Sequence, residues 1–231
     1  MLAVSLTSIP PRLPHIGPTL ASILDQRPRP DRVLLCLPRR YRRFPGPVAP
    51  PALPAGVEIL WSEEDHGPAG KALAAARALA GQGARLVYCD DDWIYGPGWL
   101  AALADGPEEA VLAGAGFAVT ALRRRAERPA TGESDIAQGF AGVAIRPEML
   151  GADAFDIPDP AWPVDDIWLS GHYARAGLPV HLRPAARAAC TPRDLPGPAL
   201  QDSRVNGMSR AEANDACARL LHERYGIWPP R

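Results

Sequence analysis

An apolar run that ends in three consecutive carboxylates constrains this chain more than any other stretch. Leu86, Val87, Tyr88 and Cys89 form an apolar run of β type. Asp90, Asp91 and Asp92 follow at once, and Trp93, Tyr95, Gly96 and Pro97 then turn the chain. Ionised carboxylates about 4 Å apart repel by about 1 kcal/mol per pair in water and by about 4 at an intermediate dielectric. A divalent cation removes that penalty. Three acids after a strand can also solvate a turn or cap a helix, although one is enough for a cap. If strand geometry persists, Asp90 and Asp92 share a face and Asp91 points the other way. Hard oxygen donors of this kind suit Mg2+ or Mn2+, which complete their shells with water and substrate phosphates. The expected partner is a small molecule that carries phosphate.

The preceding sequence alternates strand and helix. Residues 2–8 form a first apolar run stopped by Pro10 and Pro11, and Ile16, Leu20, Ile23 and Leu24 follow at helical spacing. Residues 32–37 give a second strand closed by Pro38, and residues 57–61 a third. Gly67-Pro68-Ala69-Gly70-Lys71 opens an Ala-rich helix to about Gly81, with Pro at a first-turn position. Ala72 stands where a Walker A motif needs Ser or Thr, so this is no P-loop. Lys71 near a helix N-terminus would still favour an anionic ligand, although first-turn lysines are also common on exposed surfaces. The order β-α-β-loop-β-α-β implies a mostly parallel α/β sheet, whose ligands bind beyond the carboxyl ends of the strands. The acids sit at that end.

Beyond Leu100 the pattern is less regular. Residues 111–119 and 138–145 read as Gly-rich strands, and Val180-His181-Leu182 as a short one. Asp165 and Asp166 open a helix that ends at Gly177, where they can serve as caps or as a functional acid pair. Residues 209–225 form an amphipathic packing helix. Basic clusters lie at Arg39, Arg40, Arg42 and Arg43 and at Arg123, Arg124, Arg125 and Arg128. Solvated loops are the ordinary explanation, and an anionic acceptor, glycan or lipid carrier, is the functional one.

With 231 residues, 47% of them hydrophobic and 22% charged, the chain can bury a substantial core in one domain. A net charge of −1 argues against nucleic acid held by overall electrostatics. No apolar run reaches the length of a membrane span, and the first residues lack the basic region of a signal peptide. The expected location is the cytoplasm, including the inner face of the membrane. Cys36, Cys89, Cys190 and Cys217 are scattered and read as reduced, buried thiols.

Taken in order, these motifs resemble the GT-A-fold glycosyltransferases, family-2-like bacterial enzymes in particular. The resemblance rests on Ser8-Ile9-Pro10-Pro11-Arg12, residues 22–26, Gly67 to Lys71, the acid triplet with Gly98-Trp99-Leu100, Gly139-Phe140-Ala141-Gly142 and the late Asp165-Asp166 helix. It implies a GT-A-like, Rossmann-like sheet flanked by helices, with an irregular acceptor-side C-terminal half. The single domain would divide into a nucleotide-binding half over 1–96, an acceptor and catalytic half over 97–205 and a packing helix over 206–231. Carried over by position, Thr7, Pro10, Arg12, Lys71, Asp90, Asp91 and Gly142 would bind the nucleotide sugar. Asp92 and Asp90 would hold Mn2+ or Mg2+. Asp166 would be the base of an inverting hexosyl transfer, with Asp165 raising its proton affinity. Two positions depart from the family. Leu37-Pro38 replaces an Asp that would meet the nucleobase, and Cys190, or His181 in another register, stands where a third metal ligand is usual. A sugar-phosphate nucleotidyltransferase and a non-catalytic nucleotide- or metal-binding module would draw on the same acids.

Overall fold

The computed structural model describes residues 1–126, 129–196, 205 and 207–231. Short apolar runs closed by Pro or Asp alternate with helices through the N-terminal half: β1 (Leu2–Thr7), α1 (Gly17–Leu24), β2 (Arg32–Pro38), β3 (Val57–Ser62), α2 (Gly70–Leu79) and β4 (Arg85–Cys89). Shorter elements follow: β5 (Trp93–Tyr95), α3 (Trp99–Ala104), β6 (Val111–Ala113), β7 (Gly116–Phe117), β8 (Glu133–Ser134), β9 (Ile136–Ala137) and β10 (Val143–Ile145). The chain closes with α4 (Asp165–Arg175), β11 (Val180–Leu182), α5 (Pro184–Ala188), β12 (Cys190–Pro192) and α6 (Arg210–Tyr225).

Eight strands form the central sheet in the order β3-β2-β1-β4-β10-β6-β11-β8. The neighbours among β1 to β4 are all parallel, as is β11 to β6, whereas β10 runs against both β4 and β6, and β8 against β11. The expected α/β architecture is the observed one, a large sheet of mostly parallel strands flanked by helices. Alternation within each strand explains why both faces are covered. Val4, Leu6, Val33, Leu35, Val87 and Cys89 pack with α1 and α3, while Ala3, Leu34, Cys36, Leu86 and Tyr88 pack with α2, α4 and α6. Among the described residues, no helix is long and apolar enough to cross a membrane.

Two expected strands differ. Residues 111–119 break into β6, β7 and a 3-10 turn, because Gly114 lies against the backbone of Ala141, where a Cβ would come within 2.4 Å of the carbonyl oxygen. Residues 138–145 begin as a 3-10 turn over Gly139–Ala141 and become strand only at Val143. Gly142, at φ +85°, makes that corner and cannot continue an extended strand. The tail helix starts as expected. The Ser209 hydroxyl accepts from the Glu212 N–H while the Glu212 carboxylate accepts from the Ser209 N–H, a capping box.

Candidate functional site

β1, β2, β3 and β4 all end on one edge of the sheet, and a cleft of about 560 Å3 opens there. That volume is in the range of small-molecule sites. Thr7, Ser8, Pro38, Lys71, Asp90, Asp91 and Asp92 line it from the parallel half, and Gln138, Phe140, Trp162, Asp165 and Asp166 from the other.

Strand β4 stops at Cys89, so the alternation expected of the acids stops with it. Asp90 turns to Lys71, its Oδ1 lying 2.5 Å from Nζ. Asp91 and Asp92 both turn to Arg12, at 2.9 and 3.2 Å. Arg12 reaches them because the Pro10-Pro11 turn folds back, with the Arg12 N–H donating to the Ile9 carbonyl. Pro10 shapes that turn and does not line the cleft. Asp91 is 5% exposed; it accepts from the Ser8 hydroxyl at 2.5 Å, and its own carbonyl accepts from Thr19. Burial pushes its carboxyl up while Arg12 and Ser8 oppose. Asp91 is thus a buried anchor between β1 and β4. Asp92 has less support: burial, then Asp90 and Asp91, push its carboxyl up to about 6 against the pull of Arg12. Thr7 reaches the cleft edge with its hydroxyl donated to the Cys36 carbonyl.

Lys71 is the hub of the cleft floor. Its Nζ lies 2.6 Å from Asp165 Oδ2 as well as 2.5 Å from Asp90, and its side chain is 4% exposed. Burial alone would lower the ammonium pKa, but Asp165, Asp90 and Asp166 outweigh it and hold the group well above its ordinary value. Next along α4, Asp166 accepts from the Gly139 N–H at 2.9 Å through Oδ1. Its Oδ2 has no hydrogen-bond partner among the described residues. Burial pushes the Asp166 carboxyl up, Asp165 adds to the shift and Lys71 opposes it.

Among the described residues, no group of three or more His, Cys, Asp or Glu side chains is placed to hold a metal by itself. Magnesium and manganese, which take one or two carboxylates and complete their shells with water and phosphate, fit the donor set. Among the described side chains, Asp92 is held only by the guanidinium it shares with Asp91, and Asp90 keeps one oxygen free of Lys71. Cys190 does not line the cleft. It sits in β12 with its thiol turned to the Ala186 carbonyl at 3.2 Å, and burial pushes that thiol up to about 11. His181 lies in β11, 3.6 Å from Glu133, and does not line the cleft.

Gly142 does not line the cleft either. A Cβ there would come within 2.6 Å of Trp99 and Leu103 on the α3 side of the sheet, so its role is close packing. The first basic cluster is largely compensated, with Arg39 on Glu63 and Trp61, and Arg42 on Asp159 and Trp162. Arg43 lines the cleft. In the second, Arg124 is buried beside Asp215, and Arg128 falls outside the described residues. Ser8, Tyr41, Trp93, Gln138, Phe140, Trp162 and Arg210 also line the cleft, none of them predicted. Trp93 directly after the acids and Phe140 between glycines were the visible signals. The Tyr41 hydroxyl, donated to the Ser8 carbonyl from 33 positions away, left none.

Fold and cleft together define an α/β protein with an acid-lined, Lys- and Arg-buttressed site at the C-terminal edge of its parallel strands. No protein-family model matches the chain, and no curated protein does. Solved structures with a similar course of chain include the galactosyltransferase LgtC in complex with donor and acceptor sugar analogs, 12% identical with a TM-score of 0.41, and an active-site mutant of LgtC, 13% identical with a TM-score of 0.40. Each match covers 64% of this chain and 58% of the other, so the chain spans less than two thirds of those structures.

Proposed function

We propose that this chain is a glycosyltransferase that moves a hexosyl group from a nucleotide-diphosphate donor to an acceptor hydroxyl, with inversion. The decisive observation is a division of labour among carboxylates in one cleft. Asp91 is sequestered by Ser8 and Arg12. Asp90 and Asp165 share the single positive charge of Lys71. Asp92 at the end of β4 and Asp166 at the start of α4 are left for chemistry.

Asp92, with the free oxygen of Asp90, would hold Mg2+ or Mn2+, which when bound supplies positive charge for the departing diphosphate. Arg12 keeps Asp91 and Asp92 fixed, and Lys71 offsets the negative charge that would otherwise repel the donor phosphates. Asp166 is held by the Gly139 N–H through one oxygen and offers the other to the acceptor. In a single displacement the acceptor oxygen bonds to the anomeric carbon, the bond from that carbon to the phosphate oxygen breaks, and the hydroxyl proton passes to Asp166. A raised carboxyl pKa suits that transfer, because the base is stronger than an ordinary aspartate while still titrating near neutrality.

The test is product analysis with a panel of nucleotide sugars and Mn2+. Release of nucleoside diphosphate supports the proposal. Pyrophosphate release from a nucleoside triphosphate and a sugar phosphate would make the chain a nucleotidyltransferase, and nucleotide binding without turnover would leave a binding module.

A further inference from the structure

Between the two working acids lies a wall that the transferase proposal does not use. Trp93 follows Asp92 directly, and Phe140 follows Gly139, whose N–H holds Asp166. The two half-buried rings meet with centroids 4.7 Å apart and planes inclined by 30°, and both line the cleft. Arg187, which does not line the cleft, lies over both rings at 5.3 and 5.2 Å and fixes them from outside. Phe140 is further restrained by its backbone, since its carbonyl accepts from the buried Tyr95 hydroxyl at 3.2 Å. Gln138 lines the cleft on the same turn, and its side-chain amide has no hydrogen-bond partner among the described residues. One short turn therefore presents an amide, a backbone N–H committed to Asp166, and an aromatic ring.

Resting on the transferase reading, we propose that Trp93, Phe140 and Gln138 form the acceptor subsite and that the acceptor is a pyranose. A pyranose has an apolar face of C–H groups, whose partial positive charge matches the negative face of an aromatic ring. Its rim carries hydroxyls that both donate and accept, which an unpaired carboxamide can satisfy in either sense. An alkyl chain would use the rings and leave Gln138 unpaired, and a phosphate would accept from the Gln138 amide and leave the rings unused. Position favours the acceptor over the donor's own sugar: Phe140 and Gln138 flank Gly139, the residue that orients Asp166.

The experiment measures binding of methyl pyranosides of glucose, galactose, N-acetylglucosamine and glucuronic acid by saturation-transfer NMR, with the full chain alone and with UDP or GDP and Mn2+. Glycerol and a serine peptide serve as non-pyranose probes. At least one pyranoside is expected to bind and the other probes not. Trp93→Ala and Gln138→Ala should each weaken that pyranoside by about tenfold or more, a loss that Trp93→Phe largely restores, while the rise in melting temperature caused by the nucleotide stays the same. Failure of every pyranoside to bind, or undiminished binding in either Trp93→Ala or Gln138→Ala, overturns the subsite. So does loss of only the extra affinity of a nucleotide sugar over its nucleoside diphosphate, which would place the donor sugar on the rings. If pyranoside binding falls in the variants but no nucleotide raises the melting temperature, the residues form a pyranose site, and the transferase reading, with the acceptor role that rests on it, falls.

Discussion

Lys71 Nζ lies 2.6 Å from Asp165 Oδ2, an ion pair in which the side chains are 4% and 5% exposed. It fastens the first turn of α2 to the first turn of α4, and so one wall of the cleft to the other. Removing one member of such a pair leaves a buried charge without compensation, at a cost of about 3–5 kcal/mol. Lys71→Met is expected to lower the melting temperature by on the order of 10 °C for a domain of this size. Lys71→Met with Asp165→Asn should recover part of the loss. Calorimetry on the single and double variants checks both.

Asp92 and Asp166 should separate binding from turnover. Asp92→Asn is expected to abolish the Mn2+-dependent rise in melting temperature with a nucleoside diphosphate. Asp166→Asn is expected to keep that rise and lose turnover by about 100-fold or more, the usual scale of a general base. Full activity in both variants would refute the assignment. Because Asp166 is raised above its ordinary range, kcat should fall as the pH drops through a limb well above that of an exposed aspartate.

The raised carboxyl of Asp92 also sets a pH dependence of stability. Its ordinary value is 3.8 and the folded value about 6, so between them the folded chain binds more protons than the unfolded one. Stability from this group therefore rises as the pH falls from about 6 towards 4 and is lost on return to neutrality. Chemical denaturation of the metal-free protein across that window should show this increment, and Asp92→Asn should lack it. Mn2+ competes with the proton, so its stabilising effect should weaken over the same interval as the pH falls.

Gly142 gives a prediction about packing. With φ at +85° and a Cβ position 2.6 Å from Trp99 and Leu103, Gly142→Ala should destabilise the chain by about 1–3 kcal/mol. Nucleotide affinity should be unchanged in the protein that remains folded. Denaturant melts paired with a nucleotide titration distinguish this from a ligand-binding role, which would lose affinity at constant stability.

Much of the site could be read from the chain where neighbours in sequence decide the physics. An apolar run closed by acids, a Gly-Pro helix start before Lys71 and an acidic first turn at Asp165-Asp166 each report a local element and the end at which its polar groups emerge. What each group does there was less legible. Lys71, expected near a phosphate, lines the cleft but is also paired with Asp90 and Asp165; Gly142, expected beside a ligand, packs on Trp99; Asp91 and Asp92 share one guanidinium instead of facing apart. The two Gly-rich strands failed for a related reason. Periodicity cannot distinguish a strand from a turn whose glycines are needed for close approach of another segment.

The sequence alone determined the layered α/β architecture, the sheet edge where acids gather and the identity of the acids, because strand and helix patterns and chain order depend on local spacing and chirality. Only the tertiary structure decided which acids are paired with cations and which are left with less compensation. That choice is made by cations and hydroxyls many residues away, Arg12 and Ser8 for Asp91, Lys71 for Asp90 and Asp165, and by the loss of water around them. Charge compensation and desolvation are properties of the assembled cleft, and no stretch of the chain carries them by itself.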